Sequence, residues 1–275
     1  MLTKTLRKLA SSRKALAIPV TYLILFASLI AIISVTYGFA ITRISAKGAL
    51  LKASVARQNM QALDDAARSV AWSFAASKTI YMEDCGGIFK TQPNAKSLII
   101  NLTDEEAFSH IVFNSSVGKA FYELEASMES QEGTFVRGNS QTIINQSAYT
   151  MTQLYFARGD SAQQLVLCYR PMATVLAAGT SNGKPLNLIR IYIISLSPSD
   201  MLTLSGSFHL KVSALNVTST VQLFEFNSSV SSLALKAVSE NAQSTVWLPI
   251  ESTTEGAVLS LETLVCNIKI QRVNP

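Results

Sequence analysis

Charge is the first thing this sequence has little of: Asp, Glu, Lys and Arg make up 15% of its 275 residues, where about 25% is usual for a soluble domain. Ser and Thr fill the gap, a mixture that suits a hydroxyl-rich β surface better than a cytosolic enzyme. Histidine is nearly absent. His110 and His209 stand apart from one another, each alone within a predicted strand without a matched Ser or Cys and acid, so no nucleophilic triad is built on them. Cysteine is sparse too. Cys85, Cys168 and Cys266 lie far apart with no C-x-x-C pair, which excludes a zinc site of clustered soft ligands. They are read either as one disulfide with a spare thiol, outside the cell, or as three buried inert thiols. No Walker loop, G-x-S-x-G or H-E-x-x-H occurs. No catalytic, metal or cofactor site is expected, and the chain is read as no enzyme.

The net charge of +5 has a local origin. Lys4, Arg7, Lys8, Arg13 and Lys14 precede one apolar run, and Arg43, Lys47, Lys52 and Arg57 follow it. Elsewhere acidic residues slightly outnumber basic ones. The basicity therefore flanks a membrane segment and makes no case for nucleic acid.

That segment runs from Leu16 to Ile41 without a charge. About 20 apolar residues cross about 30 Å of hydrocarbon, whereas a cleaved secretory signal has an apolar stretch of only about 7–15 residues. The run is read as a single transmembrane helix. Five basic residues before it against four after place the N-terminus in the cytoplasm by a thin margin. Five N-x-S/T sequons, at Asn101, Asn114, Asn145, Asn216 and Asn227, favour a body outside the cell, several of them beside predicted turns.

Helix formers continue to residue 77, so residues 42–77 are expected to prolong the membrane helix as a stalk. The helix is expected over about 17–76, with Pro19 in its first turn. Leu63, Ala67, Val70 and Phe74 share one face of it, and Asp64-Asp65 are read as lying on the exposed side. A second row, Ala27, Ala31, Ser34, Gly38, Ser45 and Gly48 with Ile41 completing it, follows a four-three spacing. Small residues on one face let helix backbones approach closely in lipid. The row is read as a self-association face, or else as the general richness of membrane helices in small residues.

A basic leader ending Arg13-Lys14-Ala15, then an uninterrupted apolar helix from Leu16 with a proline four residues in, resembles archaeal type IV pilins and related archaellin-like proteins. The Leu-Ala-Ile-Pro-Val run looks like the Ser-Pro-Ile/Val start of many such pilins, with Ile18 where Ser is usual. The resemblance implies prepilin-type cleavage between Ala15 and Leu16, release of a 1–15 leader, and a long helix followed by a β-sandwich-like head. It also implies partners: other copies or other pilin-like subunits, held through the helix. The length suits a minor or tip component. Uncut, the same residues form an ordinary signal anchor carrying an extracellular binding or adhesion module.

From Lys78 the period becomes alternating, and a mainly β body over 78–275 is expected, a sandwich or jelly-roll-like pair of sheets with about ten to thirteen strands. Gly86-Gly87 is read as a hairpin turn and Arg158-Gly159-Asp160-Ser161 as another turn. The stretch from Asn187 to Ser197 is taken as a central strand buried on both faces. Phe208, Leu210, Val212 and Ala214 are predicted to face inward, as are Leu264, Cys266, Ile268 and Ile270. Residues 129–140 read as a flexible loop, Asp104-Glu105-Glu106 as a solvated turn, and Gly179–Gly183 as a subdivision near residue 180.

Overall fold

A computed structural model of the chain describes residues 2–124, 132–145, 150–159, 162–240 and 242–273, with side chains from residue 19 onward. One long N-terminal helix is followed by a β-rich body. The helix, α1 (Leu2–Val70), is followed in order by β1 (Ser77–Met82), β2 (Ile88–Gln92), β3 (Ser97–Thr103), β4 (Ser109–Ser116) and β5 (Lys119–Leu124). Next come β6 (Phe135–Arg137), β7 (Thr152–Arg158), β8 (Gln163–Tyr169), β9 (Met172–Ser181) and β10 (Lys184–Ser195). The last five are β11 (Thr203–Ser205), β12 (Phe208–Phe226), β13 (Ser232–Ser239), β14 (Ala242–Pro249) and β15 (Ala257–Val273). The chain divides into two compact units, Met1–Leu50 and Leu51–Pro275.

The helix starts at Leu2, so the basic leader belongs to it and Pro19 is interior rather than in the first turn. It also ends earlier than the composition suggests. Trp72 and Ala75 take left-handed φ values of 66° and 59°, and the Trp72 N–H donates to Cys266 Sγ at 3.5 Å. Neither Gly nor Pro marks this stop. Phe74 consequently leaves the helical stripe and is exposed, while Leu63, Ala67 and Val70 are buried as expected.

Among the described residues three sheets form, not the expected pair. Their orders are β1-β12-β15-β10-β9, β11-β2-β5-β8-β7-β6 and β14-β13-β3-β4. Among the described residues all pairings between these strands are antiparallel except β10 with β15. The expected Gly86-Gly87 hairpin does not exist: β1 pairs with β12 and β2 with β5, in different sheets. Gly86 instead turns the chain between sheets, its N–H held by Asp84 Oδ1 at 2.8 Å. The Gly179–Gly183 segment is no boundary. Asn182 and Gly183, both at positive φ, close the β9–β10 hairpin, in which Ser181 faces Lys184.

The five-stranded sheet is a central layer serving two cores. Even-numbered residues at the end of β15, Cys266, Ile268 and Ile270, join a core made with helix residues 53–71 and the six-stranded sheet. Odd-numbered Ala257, Leu259 and Leu261 at its start face the opposite way, into a second core with the four-stranded sheet. Period-two alternation lets one 17-residue strand do both. Leu264 shares the parity of Cys266 but, contrary to expectation, is only half-buried. In β10 the same switch puts Ile193 and Ile194 in opposite cores, whereas Arg190 is exposed and bonds Glu262 at 2.7 Å. Burial on both faces is confined to that end of the strand.

Candidate functional site

The first unit offers an apolar helix surface. Residues 19–47 are all exposed, including Leu23, Phe26, Ile33 and Val35. The segment is long and apolar enough to cross a membrane, and its most apolar window has no residue buried within the protein. Burying apolar surface is worth about 25 cal/mol per Å2, so such a helix is unfavourable in water and needs lipid or other helices around it. Its hydroxyls do not oppose this. Ser28, Thr36 and Thr42 donate to the carbonyls of Leu25, Ile32 and Gly38 at 2.7–2.9 Å, so no hydroxyl among these three is unmet.

Ala27, Ala31, Ser34, Gly38 and Ser45 are exposed and Gly48 is half-exposed. A Cβ built on Gly38 or Gly48 would meet nothing within 4 Å. No other part of the described chain approaches either glycine closely. Ala15 and Leu16 lie within α1, their side chains outside the described residues.

In the second unit the end of the helix is fixed by polar contacts. Asp64 is not on an exposed side: its side chain is wholly buried. Thr152 Oγ1 donates to it at 2.7 Å, Tyr169 OH at 3.1 Å and Arg137 at 2.6 Å. Arg137 also reaches Asp65 at 2.6 Å. Its hydrogen bond holds the Asp65 carboxyl below the ordinary carboxylate range, and the two acids raise the guanidinium in turn. Burial, with the Asp64 carboxylate beside it, pushes the Tyr169 phenol well up. One turn earlier, Asn59 donates to the Glu83 carbonyl at 2.7 Å and accepts its N–H at 3.1 Å. Arg137 belongs to β6, inside the stretch read as a flexible loop. Sequence reasoning missed this network, although Asp64 falls at helical spacing between buried Met60 and Ala67.

The remaining candidates stay dispersed. Asn114, Asn145, Asn216 and Asn227 are exposed; Asn101 is half-buried and bonded to Ser109 at 3.0 Å. Asn101, Asn114 and Asn216 lie within strands rather than beside turns. Cys85, Cys168 and Cys266 are all buried and free, with no disulfide. His110 stacks on Phe224 and His209 on Tyr81. Asp104 accepts the N–H groups of Glu106, Ala107 and Phe108; burial opposes ionisation there, but these donors together hold its carboxyl low. Asp160 and Ser161 of the Arg-Gly-Asp turn lie outside the described residues, and Gly159 N–H closes onto Ala162. Among the described residues no three His, Cys, Asp or Glu side chains come together to hold a metal. Comparison with family models, with curated proteins and with solved structures gives no match.

Proposed function

We propose that this chain is a non-enzymatic, single-pass cell-surface protein of type IV pilin kind, a minor or pilus-associated subunit that assembles through its N-terminal helix. The body lies outside the cell and the leader in the cytoplasm until it is cut between Ala15 and Leu16. The observation that carries the reading is the open face at Gly38: a small residue with nothing near its Cβ, in the middle of an exposed apolar helix. Close helix approach in lipid or in a filament core is what such a face serves.

Pro19 supports the same reading. A proline inside a helix removes the bond to the carbonyl four residues back and crowds it; here that carbonyl belongs to Ala15. A cut after Ala15 removes the partner that Pro19 cannot serve and leaves the proline in the first turn of the new helix. The cut also takes five positive charges from the helix end, which lets it leave the bilayer. The sandwich-like head and glycans on the exposed sequons belong to this proposal. The second reading, a permanent anchor holding a binding module, is favoured by the continuity of α1 through the leader from Leu2.

Mass spectrometry of the N-terminus in native membranes separates the two. A start at Leu16 is expected; an intact start at Met1 would replace the subunit reading with the permanent anchor.

A further inference from the structure

Lys96 precedes β3 with a left-handed φ of 60°, and its side chain reaches β8. Its Nζ stands 2.8 Å from Gln153 Oε1 and 2.7 Å from Cys168 Sγ. Gln153 and Cys168 face each other across the β7–β8 pairing, and Cys168 is fully buried. The distance to sulfur is the informative one. An N–H group donating to sulfur elsewhere in the protein, from Trp72 to Cys266, stands at 3.5 Å, as the larger radius of sulfur requires. A nitrogen at 2.7 Å is too near for that kind of contact and too far for a direct N–S bond. It is the separation spanned by two single bonds meeting at one intervening atom.

The surroundings permit chemistry at this pair. Lys96 has no ion-pair partner within 4 Å among the described residues. It lines a cavity of about 200 Å3 together with Thr142, Tyr155, Ser239 and Glu240. Ser239 Oγ is buried there without a hydrogen-bond partner. The cavity is large enough to admit a diatomic oxidant to the amine.

We propose that Lys96 and Cys168 form an oxidative cross-link in which one oxygen atom bridges Nζ and Sγ. The lysine first releases a proton to water. One molecule of dioxygen then accepts four electrons, two from sulfur and two from nitrogen. The S–H bond and one N–H bond break, and S–O and N–O bonds form. One oxygen stays in the bridge, and the other leaves as water with the two hydrogens. The product joins the start of a strand in the four-stranded sheet to a strand in the six-stranded sheet, two sheets with no strand in common. In a chain whose cysteines form no disulfide, this link closes a long covalent loop and restricts the unfolded chain as a disulfide would.

The test uses the full chain in detergent, purified in air without reductant and digested for mass spectrometry. The Lys96 and Cys168 peptides are expected joined, at their summed mass plus one oxygen minus two hydrogens. Dithiothreitol should separate them, and trypsin should spare Lys96 until then. Alkylation under denaturing conditions should label two cysteines before reduction and three after. Lys96→Arg and Cys168→Ser should each abolish the joined species. Three alkylatable cysteines before reduction, Cys168 oxidised without Lys96, or a joined mass lacking the oxygen would each overturn the proposal. The wild-type measurement decides it even where a variant fails to fold.

Discussion

Arg137 sits against two adjacent carboxylates in different settings, Asp64 wholly buried and Asp65 about half exposed. Removing the guanidinium leaves Asp64 as a buried charge held only by two hydroxyls. Breaking a buried pair in this way typically costs about 3–5 kcal/mol. Arg137→Met should therefore lower the urea midpoint strongly, and adding Asp64→Asn should restore part of the loss, a recovery a double-mutant cycle measures directly. Asp65 makes a smaller and pH-dependent contribution. Its folded value lies below the ordinary 3.8, so near that pH the native chain binds fewer protons than the unfolded one and stability rises with pH. The contribution is present above 3.8 and is lost as the pH falls through the lowered folded value. Solvent screening limits it to about 1 kcal/mol or less. Urea midpoints between wild type and Asp65→Asn should thus differ at neutral pH and converge in acid. The 60, 64, 67 spacing puts Asp64 on the buried stripe, yet its charge leads to the opposite expectation of an exposed side. Its partner was not legible, because Arg137 comes from a polar, glycine-flanked stretch far along the chain.

At the scale of elements, the end of α1 has a structural job, and the proposed function gives its apolar part a second one. That end packs Met60, Leu63 and Val70 into a core shared by two sheets. Leu63→Ala removes a fully buried side chain there and should cost about 2–5 kcal/mol, read as a lowered melting temperature of the body. Gly38 tests the other job. Since nothing lies within 4 Å of its added Cβ, Gly38→Ile should leave thermal unfolding unchanged while abolishing assembly into filaments or cross-linked oligomers. Unchanged assembly would remove the packing face from the proposal. Strands with clean alternation were readable: Phe208, Leu210, Val212 and Ala214 are all buried, as the pattern predicts. Pairing was not. Tyr81 and Phe89 belong to adjacent strands in sequence that lie in separate sheets, because alternation names a buried face without naming the neighbour.

For the whole molecule, the chain divides into two compact units, and the proposed function assigns assembly to the first and leaves the second as the folded body. The body's cores begin at Ala53 and Ala56, far beyond the leader. A chain starting at Leu16 should therefore show the same unfolding transition for its body as the chain starting at Met1, measured by near-UV circular dichroism in detergent. A shifted transition would mean that the leader contributes to the fold.

The sequence alone determined a long apolar helix and a β-rich body, because both follow from local periodicity and composition, which act over a few neighbouring residues. Tertiary structure alone decided the number of sheets, the buried ion pair of Asp64 with Arg137, the end of α1 at a left-handed Trp72, and the meeting of Lys96 with Cys168. Each of these depends on contacts between residues remote in the chain, whose energies appear only once the backbone has brought them within a few ångströms.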